Sequence, residues 1–388
     1  MNKIIQPYIW IHIFIYPLLI FFATLFFEKS TNFSIFLFGI LVLYAFIFIA
    51  LGFVKNTYKT LPLLLIVYVF ILFLRDIVSD YDYYITAEYH LIFILGNIIA
   101  PLSFSFTKFK LNKPQLVKLI KTFSFIFMVL IISRIIKFGF SDLRGIDNEA
   151  AASSTLQIGY LSALLFNANL LLARDTKKSK LYTYAFQILL ISATLIAIFL
   201  SQSRGPTIAL IIGFVIVVLR KNKFMVIFAS VLVMIFLNLN DLSSLGRISS
   251  IFSADFYTGG YNNESRVVLY ELAIKDFKSS FLFGNSFEIT GLEGYSHNFF
   301  IDILHIGGIS FLILVLAFFY VSYKYFTNIN DERIKSFLLL IFIVGFVSAQ
   351  FSGVLHTNYL LWIALSAPFA LNTENQKKLS AMKAPKHQ

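Results

Sequence analysis

The chain contains no cysteine, so disulfides, thiolate nucleophiles and Cys-based metal sites are excluded. Charge is scarce as well. Only 13% of the 388 residues are Asp, Glu, Lys or Arg, where a soluble domain carries about 25%. So little polar surface cannot cover a globule. Internal repeats and low-complexity segments are missing too. What fills the chain is apolar: 58% of positions, with 46 Phe among them. The apolar residues fall in long continuous runs, which read as membrane-spanning helices. A β-barrel would show alternating segments of about ten residues. The expected fold class is therefore all-α, a polytopic integral membrane protein.

Runs long enough for about 30 Å of hydrocarbon fall near 8–27, 33–54, 61–79, 85–106, 122–140, 155–173, 181–200, 206–219, 224–240, 297–320, 337–354 and 358–371, an expectation of twelve spans. The first reads as a span and not a cleaved leader, since it is too long and no small-x-small site precedes Glu28. This divides the chain into spans one to nine (1–240), a large loop (241–296), spans ten to twelve (297–371) and a polar tail (372–388) expected to be disordered.

Lys and Arg set the orientation. The segments 1–7, 55–60, 107–121, 174–180, 220–223, 321–336 and 372–388 hold 22 of the 32 basic residues against four acids, a net +18. The alternate connections hold seven basic residues against thirteen acids, a net −6. Positive charge gathers on the cytoplasmic side of membrane proteins, so both termini are expected in the cytoplasm of a bacterial inner membrane. The net +12 of the chain is then a sorting signal, and no nucleic-acid partner is expected.

Three features break the apolar monotony on the outer side. The loop 241–296 carries a helical pattern: Asn263 as N-cap, Val267, Tyr270, Ile274, Phe277 and Phe281 at spacings of three and four, and Gly284 as a stop. Lys275 and Asp276 fall opposite that stripe, and Arg266 sits in the first turn. The pattern reads as an amphipathic helix on or near the membrane surface. The second feature is the turn Ser201-Gln202-Ser203-Arg204-Gly205-Pro206. The span behind it is short, which draws Arg204 toward the low-dielectric zone beside a helix N-terminus, an arrangement suited to an anion such as phosphate. The third is Tyr295-Ser296-His297-Asn298, where a histidine able to move a proton stands at the outer mouth.

Each feature has a plainer reading. An interfacial arginine can be a snorkelling anchor, a histidine at a helix start can be structural, and a loop helix can be a plug. Their common location on one face favours the functional reading. Among other polar residues, Arg75 and Asp76 either pair locally or reach different neighbours. Glu88 and His90 could line a cavity, and Asp302 and His305, at i and i+3, are expected to satisfy one another. His12 and His356 read as interfacial, and no metal-ligand spacing is present.

Taken in order, Ser203-Arg204-Gly205, Arg266 through Gly284-Asn285, and His297-Asn298-Phe299-Phe300 through Gly307-Gly308-Ile309 resemble the O-antigen polymerase and ligase superfamily. The likeness covers roughly 201–315. It departs from the family pattern where the two glycines stand adjacent and follow His305.

That resemblance implies a metal- and cofactor-independent glycosyltransferase acting on undecaprenyl-diphosphate-linked oligosaccharide at the periplasmic face, within lipopolysaccharide or related polysaccharide biosynthesis. Arg204 and Arg266 are expected to clamp the diphosphate, supported by Arg247, with Asn298 also in contact with substrate. His297 is expected to take the proton from, or orient, the acceptor hydroxyl. The anomeric centre would be inverted. A flippase and a chain-length regulator are the protein partners this implies. Two alternatives stay open: a ligase transferring the glycan to a lipid A core, and, from another class, a lipid-linked oligosaccharide flippase.

Overall fold

A computed structural model describes residues 11–15, 17–19, 21–22, 31–54, 59–78, 87–108, 111, 113–138, 149–173, 181–201, 203–219, 261–289, 295–296, 298–351 and 358–371, with some helix-end side chains excepted. Among them every regular element is helical. In chain order these are a π-helical turn, Ile11–Ile15, then α1 (Thr31–Val54), α2 (Thr60–Val78) and α3 (Ala87–Ile94), which runs on through a second π-helical turn, Leu95–Ile99, and short turns ending at Phe106. Then come α4 (Lys113–Phe138), α5 (Glu149–Ala173), α6 (Leu181–Ser201), α7 (Arg204–Leu219), α8 (Tyr261–Ser279), α9 (Phe299–Thr327), α10 (Glu332–Phe351) and α11 (Tyr359–Leu371).

Four described helices are long and apolar enough to cross a membrane: Thr60–Val78, Pro114–Lys137, Phe299–Thr327 and Glu332–Phe351. The outer surface of the bundle is apolar as well, with Leu64, Ile71 and Val78 of α2 and Ile313 and Tyr320 of α9 exposed. A soluble protein buries such residues; a bundle standing in lipid has no reason to.

Helix starts follow local chemistry. Asp331 caps α10, its Oδ1 accepting from the N–H groups of Arg333 (2.9 Å) and Ile334 (3.2 Å). Asn298 caps α9 in the same way. One core gathers α4, α5, α6, α7, α10 and α11, and a second gathers α2, α3, α9 and α11. α5 is the hub of the first, buried on all sides from Ile158 to Leu170. Its buried amides are used between helices. Asn167 Nδ2 donates to Leu210 O of α7 (3.2 Å), Asn169 Nδ2 to Ser124 Oγ of α4 (2.7 Å), and Gln187 Nε2 of α6 to Asn169 O (2.7 Å). In an apolar surround such bonds contribute about 0.6 kcal/mol each and set the register of the bundle.

Ten of the twelve expected spans coincide with these helices. The run near 8–27 is described only in part, and 224–240 and the tail 372–388 lie outside the described residues. Two expected cytoplasmic connections are partly helix: α4 begins at Lys113, inside 107–121, and α9 continues to Thr327, inside 321–336. Packing accounts for the first, because Leu116 and Ile120 are fully buried in the larger core. An apolar-run criterion ends a span at the first lysines, whereas the helix continues while it has something to pack against.

Candidate functional site

The helix expected in the large loop is present as α8, and Gly284 ends it with a positive φ of 67° while its N–H bonds Ser280 O at 2.8 Å. The buried face, however, is not the expected stripe. Ile274 and Phe281 are exposed, and Ala273 and Asp276 are buried against α9. Asp276, expected on the solvated side, meets His305 of α9, with Oδ2 at 3.5 Å from Nε2.

The chain leaving α8 docks where α9 is broken. Gly308 has φ 65° and ψ −164°, outside the helical range, so the i→i−4 bonds across it are lost. Ile309 N–H would have bonded His305 O. Instead Ile309 N–H donates to Phe281 O (3.0 Å), and His305 O accepts from Asn285 N–H (2.8 Å). Ser310 N–H likewise donates to Leu282 O (3.2 Å). Tyr68 of α2 donates its hydroxyl proton to Gly307 O (3.1 Å) and lies within hydrogen-bond distance of Ser310 Oγ. The turn and the break thus satisfy each other's backbone. Only glycine fits at the crossing: a Cβ on Gly284 would stand 2.4 Å from Ile306 C, and one on Gly308 2.5 Å from Leu282 C. The adjacent pair Gly307-Gly308 is part of this crossing.

Around the crossing lies a buried polar cluster. Arg75 Nε donates to Asp76 Oδ1 (2.8 Å) and its Nη1 to Phe283 O (2.8 Å), while Asp76 Oδ2 accepts the N–H of Phe287 (2.8 Å). The adjacent pair therefore bonds locally, and each partner also holds the loop. Glu288, 3% exposed, directs Oε1 to His90 Nε2 (3.6 Å) and to the Tyr295 hydroxyl (3.5 Å), and the tyrosine oxygen is 3.0 Å from His90 Nε2. His305 Nε2 faces the Glu288 carbonyl (3.2 Å) and the Asp276 carboxylate, two acceptors, so that nitrogen carries a proton. Asp302 does not serve His305 as expected. It accepts from Ser296 Oγ, because the helix entrance folds the serine over it.

The electrostatics favour neutral donors here. Burial first, then the carboxylates of Glu288 and Asp302, push the Tyr295 phenol well above its ordinary value. It therefore remains a neutral hydroxyl between an imidazole and a carboxylate. Such a chain of acid, phenol and imidazole can hold or pass a proton.

The sequence-derived site is reached only in part. Arg204 is the first residue of α7, and Arg266 lies within α8, but the side chains of both lie outside the described residues. Arg247 and His297 lie outside them altogether. Asn298 is described, and its Oδ1 accepts from the N–H groups of Phe300 (3.1 Å) and Ile301 (3.2 Å). Its carbonyl oxygen is thus committed to capping α9. Described residues on either side of Arg204 are buried: Ser201, Ser203 and Thr207 are all covered, and Thr207 Oγ1 donates to Ser203 O (3.0 Å). Gly159 of α5 makes room for the turn, since a Cβ there would stand 2.7 Å from Pro206 Cγ.

Glu288 was not singled out by sequence reasoning, and Asp276 was placed there only on the side opposite the apolar stripe. Nothing in the local pattern marks Glu288, which is one of thirteen acids expected on the outer side. No protein-family model, curated protein or solved structure matches this chain.

Proposed function

We propose that the chain is a glycosyltransferase of a bacterial inner membrane, with twelve spans and both termini cytoplasmic. It polymerises undecaprenyl-diphosphate-linked oligosaccharide repeats at the periplasmic face. Arg204 and Arg266 neutralise the diphosphate as it leaves, Arg247 assists, and His297 takes the proton of the attacking hydroxyl, with inversion at the anomeric carbon. The bond broken is the anomeric C–O bond to diphosphate, and the bond formed joins that carbon to the acceptor oxygen.

The observation that carries this reading is the fastening of α8, which bears Arg266, to α9, whose first residue stands two positions after His297. Backbone bonds at the Gly308 break and the pair His305–Asp276 tie the two segments together, and Asp76 of α2 holds the loop between them through Phe287 N–H. A diphosphate clamp and a base must keep one geometry to act on the same bond. Ser203-Arg204-Gly205 at the start of α7 adds a helix N-terminus suited to an anion.

The test is chain extension by the purified protein in nanodiscs, supplied with a defined undecaprenyl-diphosphate oligosaccharide alone. Long products from the wild type, lost in Arg204→Ala and Arg266→Ala, support the polymerase. Extension at the wild-type rate by either variant defeats the clamp. A requirement for an added lipid A core would make the chain a ligase.

A further inference from the structure

We propose that the turn Phe281-Leu282-Phe283 is a membrane-inserted wedge: its side chains lie among lipid acyl chains and anchor α8 to the bilayer. The three side chains are 53%, 57% and 60% exposed and consecutive. Three large apolar residues open to water on one turn would be costly, at about 25 cal/mol per Å² of apolar surface.

The level of the turn is fixed by its contacts. Phe283 O accepts from Arg75, one turn before the end of α2. The crossing at Gly307 and Gly308 touches Tyr68, near the middle of that helix. On α9 the break stands about 13 Å in from Phe299, at 1.5 Å per residue. At this level the neighbouring surface is apolar both toward the helix end, at Ile77 and Val78, and toward its middle, at Phe70 and Ile71, all exposed. The wedge therefore continues the lipid-facing surface of α2 and α9.

Its carbonyls meet the demand hydrocarbon makes, that polar groups be bonded within the protein. The carbonyls of Phe281, Leu282 and Phe283 accept from Ile309 N–H, Ser310 N–H and Arg75 respectively, and Gly284 N–H donates to Ser280 O. Within α8, the exposed Lys275 and Lys278 carry their charge one to two turns before the wedge. That suits lipid headgroups. The bilayer thereby holds the turn that organises Glu288, His305 and Asp276, so the polar cluster is assembled against lipid.

The absence of cysteine makes the test direct. Leu282→Cys and Phe283→Cys carry a nitroxide label in full-length protein reconstituted into phosphatidylethanolamine/phosphatidylglycerol vesicles. Collision with oxygen is compared with collision with a water-soluble nickel chelate, using Ile71→Cys and Lys278→Cys as references. The wedge requires both turn positions to favour oxygen as Ile71→Cys does, with Lys278→Cys favouring the chelate. Chelate access at 282 and 283 equal to that at 278 overturns it. The inference rests on α2 lying in the membrane, and chelate access at 71 as well would fail that reading first. Since a label could displace the turn, a photoreactive benzoyl-phenylalanine at Phe283 gives a second readout. Cross-linking to lipid supports the wedge, and its absence alongside cross-linking from the same residue at Ile71 refutes it. No step of this inference depends on the glycan chemistry.

Discussion

The carboxylate of Asp76 accepts the backbone N–H of Phe287 at 2.8 Å while its other oxygen binds Arg75. One buried side chain thus joins the end of α2 to the loop that follows α8 and neutralises a cation in an apolar surround. Removing it strands the Phe287 N–H and leaves Arg75 with its bond to Phe283 O alone. Asp76→Ala should lower stability by about 1–3 kcal/mol, the cost of leaving the buried Phe287 N–H without its acceptor. Asp76→Asn, which keeps an acceptor, should cost less. Thermal unfolding in detergent monitored by circular dichroism checks both. Equal midpoints for wild type and Asp76→Ala would show that the pair does not hold the loop.

The two glycines of the crossing should be irreplaceable for a steric reason. Gly284→Ala and Gly308→Ala each force a side chain into positive φ, costing roughly 1–2 kcal/mol, and each new Cβ meets opposing backbone at 2.4–2.5 Å. Because both changes break the same contact, their effects on the unfolding midpoint should not add. A double variant that loses the full sum would place the two glycines in separate contacts.

Tyr295 should govern alkaline but not neutral stability. Its phenol is raised in the folded state above the ordinary 10.0, so the unfolded chain ionises first. Stability tied to it is intact below that value and falls as pH rises beyond it. Tyr295→Phe removes the titration, and its stability should fall less steeply between pH about 10 and 12. Parallel pH profiles for the two proteins would contradict this.

Asn298 separates a cap from a substrate contact. Asn298→Ala should destabilise by about 1 kcal/mol, and Asn298→Asp or Asn298→Ser should restore that loss. If Asn298 also contacts the glycan, Asn298→Ser should recover the unfolding midpoint without recovering chain extension. Full recovery of both would leave it a cap alone.

The turn at Arg204 should respond to a residue that never touches it in sequence. Gly159→Val presses on Pro206 and should reduce extension more than it reduces stability, since the displaced element is the start of α7. The ratio of initial extension rate to folded protein, measured by size-exclusion chromatography, reads this. Unchanged extension would mean the turn tolerates displacement.

Much of the scaffold was legible because hydrocarbon leaves a chain few options. Backbone polar groups must be bonded internally, so a long apolar run becomes a helix. The existence of α2, α9 and α10 follows from that alone. So does the end of α8, because Gly284 can adopt the positive φ that other residues resist. The buried face of α8 was not legible. A stripe at spacings of three and four marks an apolar side, but lipid and protein are both apolar neighbours. Ile274 and Phe281 therefore face outward, while Asp276 turns inward.

The pairing of polar groups belongs entirely to the tertiary structure. Sequence spacing suggested Asp302 for His305, since they share a helix face; the fold gives His305 to Asp276 and to Glu288 O, and Asp302 to Ser296. A break in α9 could be suspected at Gly307-Gly308, yet its partner lies in the turn after α8 and its support in Tyr68 of α2. The sequence by itself determined that the chain is helical, apolar and asymmetric in charge, because composition and period act locally. The fold alone decided which buried acid meets which histidine, because in a low dielectric every such group must find a partner, and the partners come from distant parts of the chain.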